Sequence, residues 1–466
     1  MVTITEKHNL YITGLPASHQ QKIQHSLTLA NPVYTKMMRN PEENRKVLYG
    51  LKKDFKYYRY DEYKDMLTLP RGMAPRFYAH LEKHAIPFET KQVFVEKKLK
   101  ANIISKITLR DYQVPLAAEI QKHTTGVVFL SVGGGKTILA LDYIAKAGLT
   151  ATVLVHNKVL LKQWKEKCEE FLWVTPSICG EGKKNVGEIT IATVQMLQSD
   201  PLLKEKLAAQ TSILIVDECD RYISDGRRGV LEAITPKVMF GFSGTPERSV
   251  DDGQTDAIQF IFGPIIAEHQ VVTMPPLIKV FMTDVAIETE EYPDMQHNLV
   301  HHHVRNKLIA GLALGEILSG RKILILTKRI AHYELLKESY IGECDKYYYV
   351  DSKAKDRDDL LYGITDGSKP YSLIAGTYSL LGTGFDVQTL ETVFLAGDLK
   401  SNVTTVQSIG RALRLLKGKN PTIYDFCDNR TPMFKRQFKV RYNIYKAKGW
   451  KIEWHGISEE AAQKWL

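Results

Sequence analysis

From Thr108 onward the chain repeats one pattern: a short apolar, mostly β-branched run, a polar or glycine-bearing turn, then a stretch with helical spacing. Val127–Leu130, Ala151–Val155, Ile189–Ala192, Ile213–Val216 and Val238–Phe242 read as buried strands, with helical pattern between several of them, notably Val159–Phe171. Strands that alternate with helices predict a doubly wound parallel sheet. A polar, proline-bearing stretch from Asp251 to Pro293 interrupts the series and places a boundary there. A second series follows, with strands expected at Lys322–Leu326, Tyr347–Val350, Ser372–Ala375 and Thr392–Leu395, and helices at Arg305–Leu318 and Ile330–Glu338. Before Thr108 the pattern is mixed. Short β-like runs at Leu10–Ile12 and Gln92–Val95 flank amphipathic segments at Pro16–Leu29 and Pro75–His84, where Phe77, Tyr78 and Leu81 share a helical face. The organisation expected is a small α+β domain over residues 1–100 and two α/β domains over 101–285 and 286–466.

Composition narrows the class. The 466 residues, 44% hydrophobic and 25% charged, are those of a globular protein with several cores. No apolar run approaches the ~20 residues of a membrane span, and the first residues lack a signal-peptide pattern, so a cytosolic protein is expected, or a nuclear one in a eukaryote. The five cysteines have no CxxC or Cys/His ligand spacing, which argues against disulfides, structural zinc and an iron–sulfur cluster. The run His301-His302-His303 reads better as a solvated helix start than as a metal site. Charge is uneven: residues 1–100 carry 18 Lys and Arg against 10 Asp and Glu, and residues 431–466 carry 8 against 3. In the segment Lys52-Lys53-Asp54-Phe55-Lys56-Tyr57-Tyr58-Arg59-Tyr60, Lys52, Lys53 and Lys56 could meet phosphates while the rings stack on bases. The rings could equally be core and the lysines a wetted face.

The chemistry concentrates after the strand Val127–Leu130. Gly133, Gly134 and Gly135 remove three Cβ atoms, and Lys136-Thr137 opens a helix. Such a loop turns backbone N–H groups toward a polyphosphate, with Lys136 reaching the β and γ phosphates and Thr137 placed to ligate Mg²⁺. Leu130 stands where a strict phosphate loop has its first glycine, so the match is to the shorter GxGKT form. A plain glycine turn before a core helix is the alternative. Ile213-Leu214-Ile215-Val216-Asp217-Glu218 puts two carboxylates at the end of a buried strand, where an α/β sheet binds its ligand. Asp217 can hold Mg²⁺ and Glu218 can orient and deprotonate an attacking water, or the pair can cap the next helix.

Further motifs make the chain resemble the superfamily 2 helicases over residues 109–414. Leu109-Arg110-Asp111-Tyr112-Gln113 is similar to the adenine-reading LRxYQ motif, with Arg110 and Gln113 at the nucleotide. Ser243-Gly244-Thr245-Pro246 resembles the motif that couples hydrolysis to movement, with Gly244 in place of the usual Ala. Gln407-Ser408-Ile409-Gly410-Arg411-Ala412-Leu413-Arg414 matches QxxGRxxR; the resemblance implies that Gln407, Arg411 and Arg414 are catalytic, the arginines approaching the γ-phosphate. Thr377 with Gly384-Phe385-Asp386 resembles the next motif, Gly384 and Asp386 being the nucleotide contacts and Thr383 replacing the usual Glu. Softer matches at Val155–Lys158, Ala192–Gln195 and Thr327–Arg329 imply phosphate-backbone contacts from Lys158, Thr193, Gln195, Thr327, Lys328 and Thr377. The implied fold is two tandem RecA-like doubly wound parallel-sheet domains behind a small α+β domain. The implied activity is ATP- and Mg²⁺-dependent DNA unwinding or branch migration by a monomer, in the manner of phage branch-migration helicases of the UvsW type and their XPB-like and RecG-like relatives. Duplex translocation, RNA unwinding and a nucleotide-gated clamp are the other readings. On this view the first 100 residues select branched DNA, and the ATPase core folds without them.

Overall fold

The computed structural model describes residues 1–38, 42, 49–130, 134–244, 254–269, 275–289, 291–342, 345–350, 357–378, 387, 389–399, 421–457 and 460–461. It divides into two compact units, Met1–Val271 and Val272–Leu466. Among the described residues no helix is long and apolar enough to cross a membrane.

The first unit is built on an eight-stranded sheet in the order Lys183–Lys184, Ser177–Gly180, Ile189–Thr193, Ala151–Val155, Ile213–Asp217, Val238–Ser243, Thr125–Leu130, Ile265–His269. All neighbours are parallel except the first pair. Every residue of the four strands from Ala151–Val155 to Thr125–Leu130 in that order is buried. Helices cover both faces, which is why these strands read as unbroken apolar runs rather than as alternation. Because Val238–Ser243 lies between Thr125–Leu130 and Ile213–Asp217, the strand ends deliver the glycine loop, Ser243 and Asp217 to one edge. The helix Lys158–Leu172 starts where Asn157 Oδ1 accepts the Leu160 N–H at 2.8 Å, and Lys136–Ala147 ends at Gly148 in the left-handed region.

Residues 1–100 carry their own five-stranded sheet, ordered Arg59–Asp61, Met66–Pro70, Asn9–Thr13, Val2–Glu6, Phe88–Gln92. They do not carry their own core. Leu10, Leu69, Met73 and Phe77 pack in one continuous cluster with Val216 of the larger sheet and Ile258 and Phe260 of the helix Gln254–Phe262 that covers it. The Tyr57 ring, expected at a base, is buried with its centroid 5.5 Å from that of Phe260. Arg71, 2% exposed, donates to the carbonyls of Pro236 and Lys237. A Cβ at Gly72 would come within 2.3 Å of the Gly263 nitrogen, so two glycines let the backbones touch, with Gly263 at φ +107°. The expectation that the ATPase core folds without its first 100 residues is corrected accordingly: removing them would strip one side of the motor's own core.

The second unit is a seven-stranded, wholly parallel sheet ordered Tyr347–Val350, Leu373–Thr377, Ile323–Thr327, Thr392–Leu395, Thr422–Asp428, Leu277–Thr283, Ile452–His455. Strand Leu277–Thr283 lies before the boundary expected at 285, yet it pairs in this sheet from Leu277↔Thr422 to Thr283↔Asp428. The stretch read as irregular, Asp251–Pro293, also holds the helix Gln254–Phe262 and the strand Ile265–His269. The basic C-terminal segment is mostly not a free tail. Helix Pro432–Ala447 buries Phe434, Phe438 and Tyr445, and Arg441 grips Asp425 through Nε and Nη2, both at 2.8 Å.

Candidate nucleotide site

The sheet edge collects the expected groups of the first unit. Gly135, at φ +79°, precedes the helix Lys136–Ala147, whose first N–H groups receive no side-chain cap. The helix start therefore offers backbone donors and the positive end of its dipole. Lys136 Nζ lies 3.1 Å from Glu218 Oε1. Glu218 sits in the left-handed region at φ +51°, a conformation that costs a non-glycine residue about 1–3 kcal/mol and is consistent with a functional constraint. Burial pushes the Glu218 carboxyl up, but the Lys136 ammonium outweighs it and holds the group below the ordinary carboxylate range. The same two acids keep Lys136 firmly protonated against its own burial. Asp217 is displaced the other way, upward, chiefly by burial.

Asp217 and Thr137 supply carboxylate and hydroxyl oxygens, the hard donors that Mg²⁺ takes, and Thr137 is half-buried at the first turn. The Trp164 indole N–H donates to Asp217 Oδ2 at 2.9 Å, leaving Oδ1 to accept the Glu218 N–H at 3.0 Å. Trp164 falls on the buried face of its helix and reads in sequence as plain core, so only the fold reveals that it orients the acid. Ser243 Oγ donates to Asp220 Oδ1 at 3.2 Å, tying its strand end to the acidic one, while Thr245 and Pro246 lie outside the described residues. His156 is buried next to this cluster, and desolvation followed by the charge of Arg221 lowers it to about 4.

Gln113 is bonded within the protein. Its Oε1 accepts the Arg110 N–H at 2.9 Å and its Nε2 donates to the Gly134 carbonyl at 3.1 Å, with the side chain buried. Each end of the amide makes one bond within the protein, so in this arrangement Gln113 braces the glycine loop, with one N–H and one lone pair beyond those two bonds. A Cβ on Gly135 would come 2.1 Å from Gln113 Nε2. Tyr112 donates to the same carbonyl at 3.2 Å and stacks on His269, centroids 4.3 Å apart, an arrangement not visible in the motif itself. Arg110 is exposed.

The residues expected at nucleic acid separate by exposure. Lys52, Lys53, Lys56, Lys158 and Gln195 are exposed, Gln195 donating to the His156 carbonyl at 2.7 Å. Thr193 is buried, and Thr327 is fully buried with its hydroxyl donating to the Arg329 carbonyl at 3.0 Å. Both threonines finish strands, Thr193 at Ile189–Thr193 and Thr327 at Ile323–Thr327. Lys328 is exposed, 3.9 Å from Asp398 Oδ2, and Thr377 is half-buried at its strand end. Gly133, Gly384, Asp386, Gln407, Arg411 and Arg414 lie outside the described residues.

Residues 106–248 match the family described as type III restriction enzyme, res subunit. The chain is similar to "Putative helicase 161L" of Invertebrate iridescent virus 6, 26% identical over 408 residues, which are 82% of this chain and 88% of that one. It is 28% identical over 194 residues to DNA 3'-5' translocase XPB2 of Sulfurisphaera tokodaii, covering 39% of this chain and 43% of the relative. ATP-dependent DNA helicase uvsW of Enterobacteria phage T4 is 24% identical over 264 residues, 53% of this chain and 51% of that one. A phosphate loop, an acidic strand end and helicases among its relatives make the chain similar to the ATP-hydrolysing helicases of superfamily 2.

Proposed function

We propose that this protein is a DNA helicase or translocase that uses ATP hydrolysis to unwind or branch-migrate forked and junction DNA, moving 3′–5′. The observation that carries the reading is the Lys136–Glu218 pair beside Asp217 at the end of a buried strand. A polyphosphate entering the loop competes with Glu218 for Lys136. As the ammonium moves to the β and γ phosphates, Glu218 loses the charge that suppressed its basicity and becomes a better acceptor for the proton of the attacking water. The base is thus armed by the substrate it serves. Thr137 and Asp217 would hold Mg²⁺, which would supply neutralisation of the phosphate charge. Trp164 fixes the Asp217 rotamer. Arg411 and Arg414, with Gln407, would stabilise charge on the transferred phosphoryl group, and Gly384 and Asp386 would contact the nucleotide.

Support for DNA comes from the translocase and helicase named among the relatives and from a basic face on the first unit. There Lys52, Lys53 and Lys56 are exposed beside the partly exposed rings of Phe55 and Tyr60. Lysines grip any phosphate backbone, and exposed rings stack on bases only where a strand is unpaired, which favours a junction over a linear duplex. The test is steady-state ATPase with single-stranded DNA, linear duplex, a four-way junction and RNA. The highest kcat/KM is expected on the junction. Equal stimulation by linear duplex would favour translocation alone, stimulation by RNA only would move the protein to RNA unwinding, and tight binding without turnover would make it a clamp.

A further inference from the structure

Away from the nucleotide site, three imidazoles on two helices converge within the first 100 residues. His19 lies in the first turn of helix Ala17–Ser26, while His80 lies in the last turn of helix Ala74–Lys83 and His84 is its C-cap. The spacing of four sets His80 and His84 on one face, and the His84 N–H still donates to the His80 carbonyl at 3.2 Å. The ring centroids are 5.2 Å apart for His19 and His80, 4.9 Å for His19 and His84, and 4.6 Å for His80 and His84. One ring nitrogen from each lies within 4.8 Å of the other two, and His19 Nδ1 is 3.0 Å from His80 Nε2.

A hydrogen bond between two neutral imidazoles accounts for the 3.0 Å contact but not for the third ring. Two nitrogens bound to one tetrahedral Zn²⁺ at 2.0–2.1 Å stand about 3.3 Å apart, close to the 3.0 Å between His19 Nδ1 and His80 Nε2. Burial, then the neighbouring imidazoles with Lys22 and Lys83, lower the proton affinity of His80, and the same influences act on His84. Neutral rings have lone pairs to give. Three imidazoles suit the borderline transition metals, and three imidazoles with a water is a four-coordinate set that Zn²⁺ takes.

We propose that His19, His80 and His84 form a Zn²⁺ site, completed by water in the fourth position, that clips helix Ala17–Ser26 to helix Ala74–Lys83. The site departs from the expectation of no structural zinc, which rested on cysteine spacing and overlooked the His-x-x-x-His spacing of residues 80 and 84. Through Met73 and Phe77, the second of these helices and the turn before it belong to the core shared with the motor, so the clip would stiffen the seam between the two sheets.

The test uses the full-length, metal-stripped protein titrated with Co²⁺ as a coloured probe, followed by Zn²⁺ competition and thermal melting. One equivalent of Co²⁺ is expected to bind with the strong visible absorption of a four-coordinate ion. Zn²⁺ should displace it and raise the melting temperature. His84→Gln, at an exposed position whose replacement leaves packing intact, and His19→Gln should each weaken binding about tenfold or more. No saturable one-equivalent binding overturns the proposal. So does binding that persists unchanged in both variants, as it would if the His301-His302-His303 run held the ion.

Discussion

Arg71→Ala tests whether the first sheet and the motor sheet share one core. Arg71 is 2% exposed, bonds the carbonyls of Pro236 and Lys237, lies 4.2 Å over the Phe94 ring, and has Nε 4.0 Å from Glu6 Oε1. Burial lowers its guanidinium only to about 10, so it stays charged at neutral pH. Truncation removes two charge-assisted bonds worth about 1.5–3 kcal/mol each. It also leaves Glu6, 7% exposed, with only the Gln92 and Tyr78 donors at 3.0 and 3.3 Å among the bonds described. Breaking a buried charge pair costs about 3–5 kcal/mol, and since the bonds and the pair overlap, ~4 kcal/mol is expected in total. Hydrogen exchange read peptide by peptide, with denaturant unfolding for the total, separates the outcomes. Protection should fall together in Asn9–Thr13 and in Val238–Ser243, which belong to different sheets of one unit. A loss under about 1 kcal/mol, or one confined to residues 1–100, would refute the shared core.

Three further outcomes follow from the geometry. Trp164→Phe keeps an aromatic in the core but removes the donor to Asp217, so the Mg²⁺ concentration for half-maximal ATPase should rise about 10–100-fold, measured by Mg²⁺ titration; an unchanged requirement would show that the indole only fills space. Gly135→Ala forces a Cβ at φ +79° against Gln113 and should abolish nucleotide binding, read by a fluorescent ATP analogue, while the distant sheet core keeps its exchange protection. Acid should destabilise both units through buried histidines. His156 is lowered to about 4 and His332 to about 3, in each case mainly by burial, so between those values and ~6.5 the unfolded chain binds protons that the folded chain does not. Stability is complete above pH ~6.5 and has fallen by ~3 kcal/mol per group at pH ~4.5. Melting from pH 7.5 to 4.5 should show the decline, and His332→Gln should flatten it for the second unit.

Legibility in the sequence followed burial. Strands buried on both faces, such as Ile213–Asp217 and Val238–Ser243, announce themselves as unbroken apolar runs, and the glycine loop and paired acids carry their chemistry at fixed spacing. Leu277–Thr283 was hidden because Lys279 interrupts it, keeping its ammonium over the Tyr424 ring at 5.2 Å. The shared core was hidden for a different reason. A basic, aromatic segment looks like a nucleic-acid surface whether its rings face water, as Phe55 does in part, or a neighbouring helix, as Tyr57 does. Motif letters also do not show what a polar side chain bonds within the fold: the Thr327 hydroxyl donates to the Arg329 carbonyl and the Gln113 amide braces the glycine loop. Trp164 and the three converging histidines depend on contacts between elements far apart in sequence, which spacing along one helix only partly betrays.

The most direct measurement is phosphate release by Glu218→Gln in saturating single-stranded DNA, run beside equilibrium binding of ATP to the same protein. With Glu218 as the base released when Lys136 turns to the phosphates, ATP should bind at least as tightly as to the parent protein, because the competing carboxylate is gone. Turnover should fall about 10²–10⁴-fold. Turnover close to that of the parent protein would contradict the assignment of Glu218 and with it the substrate-armed site.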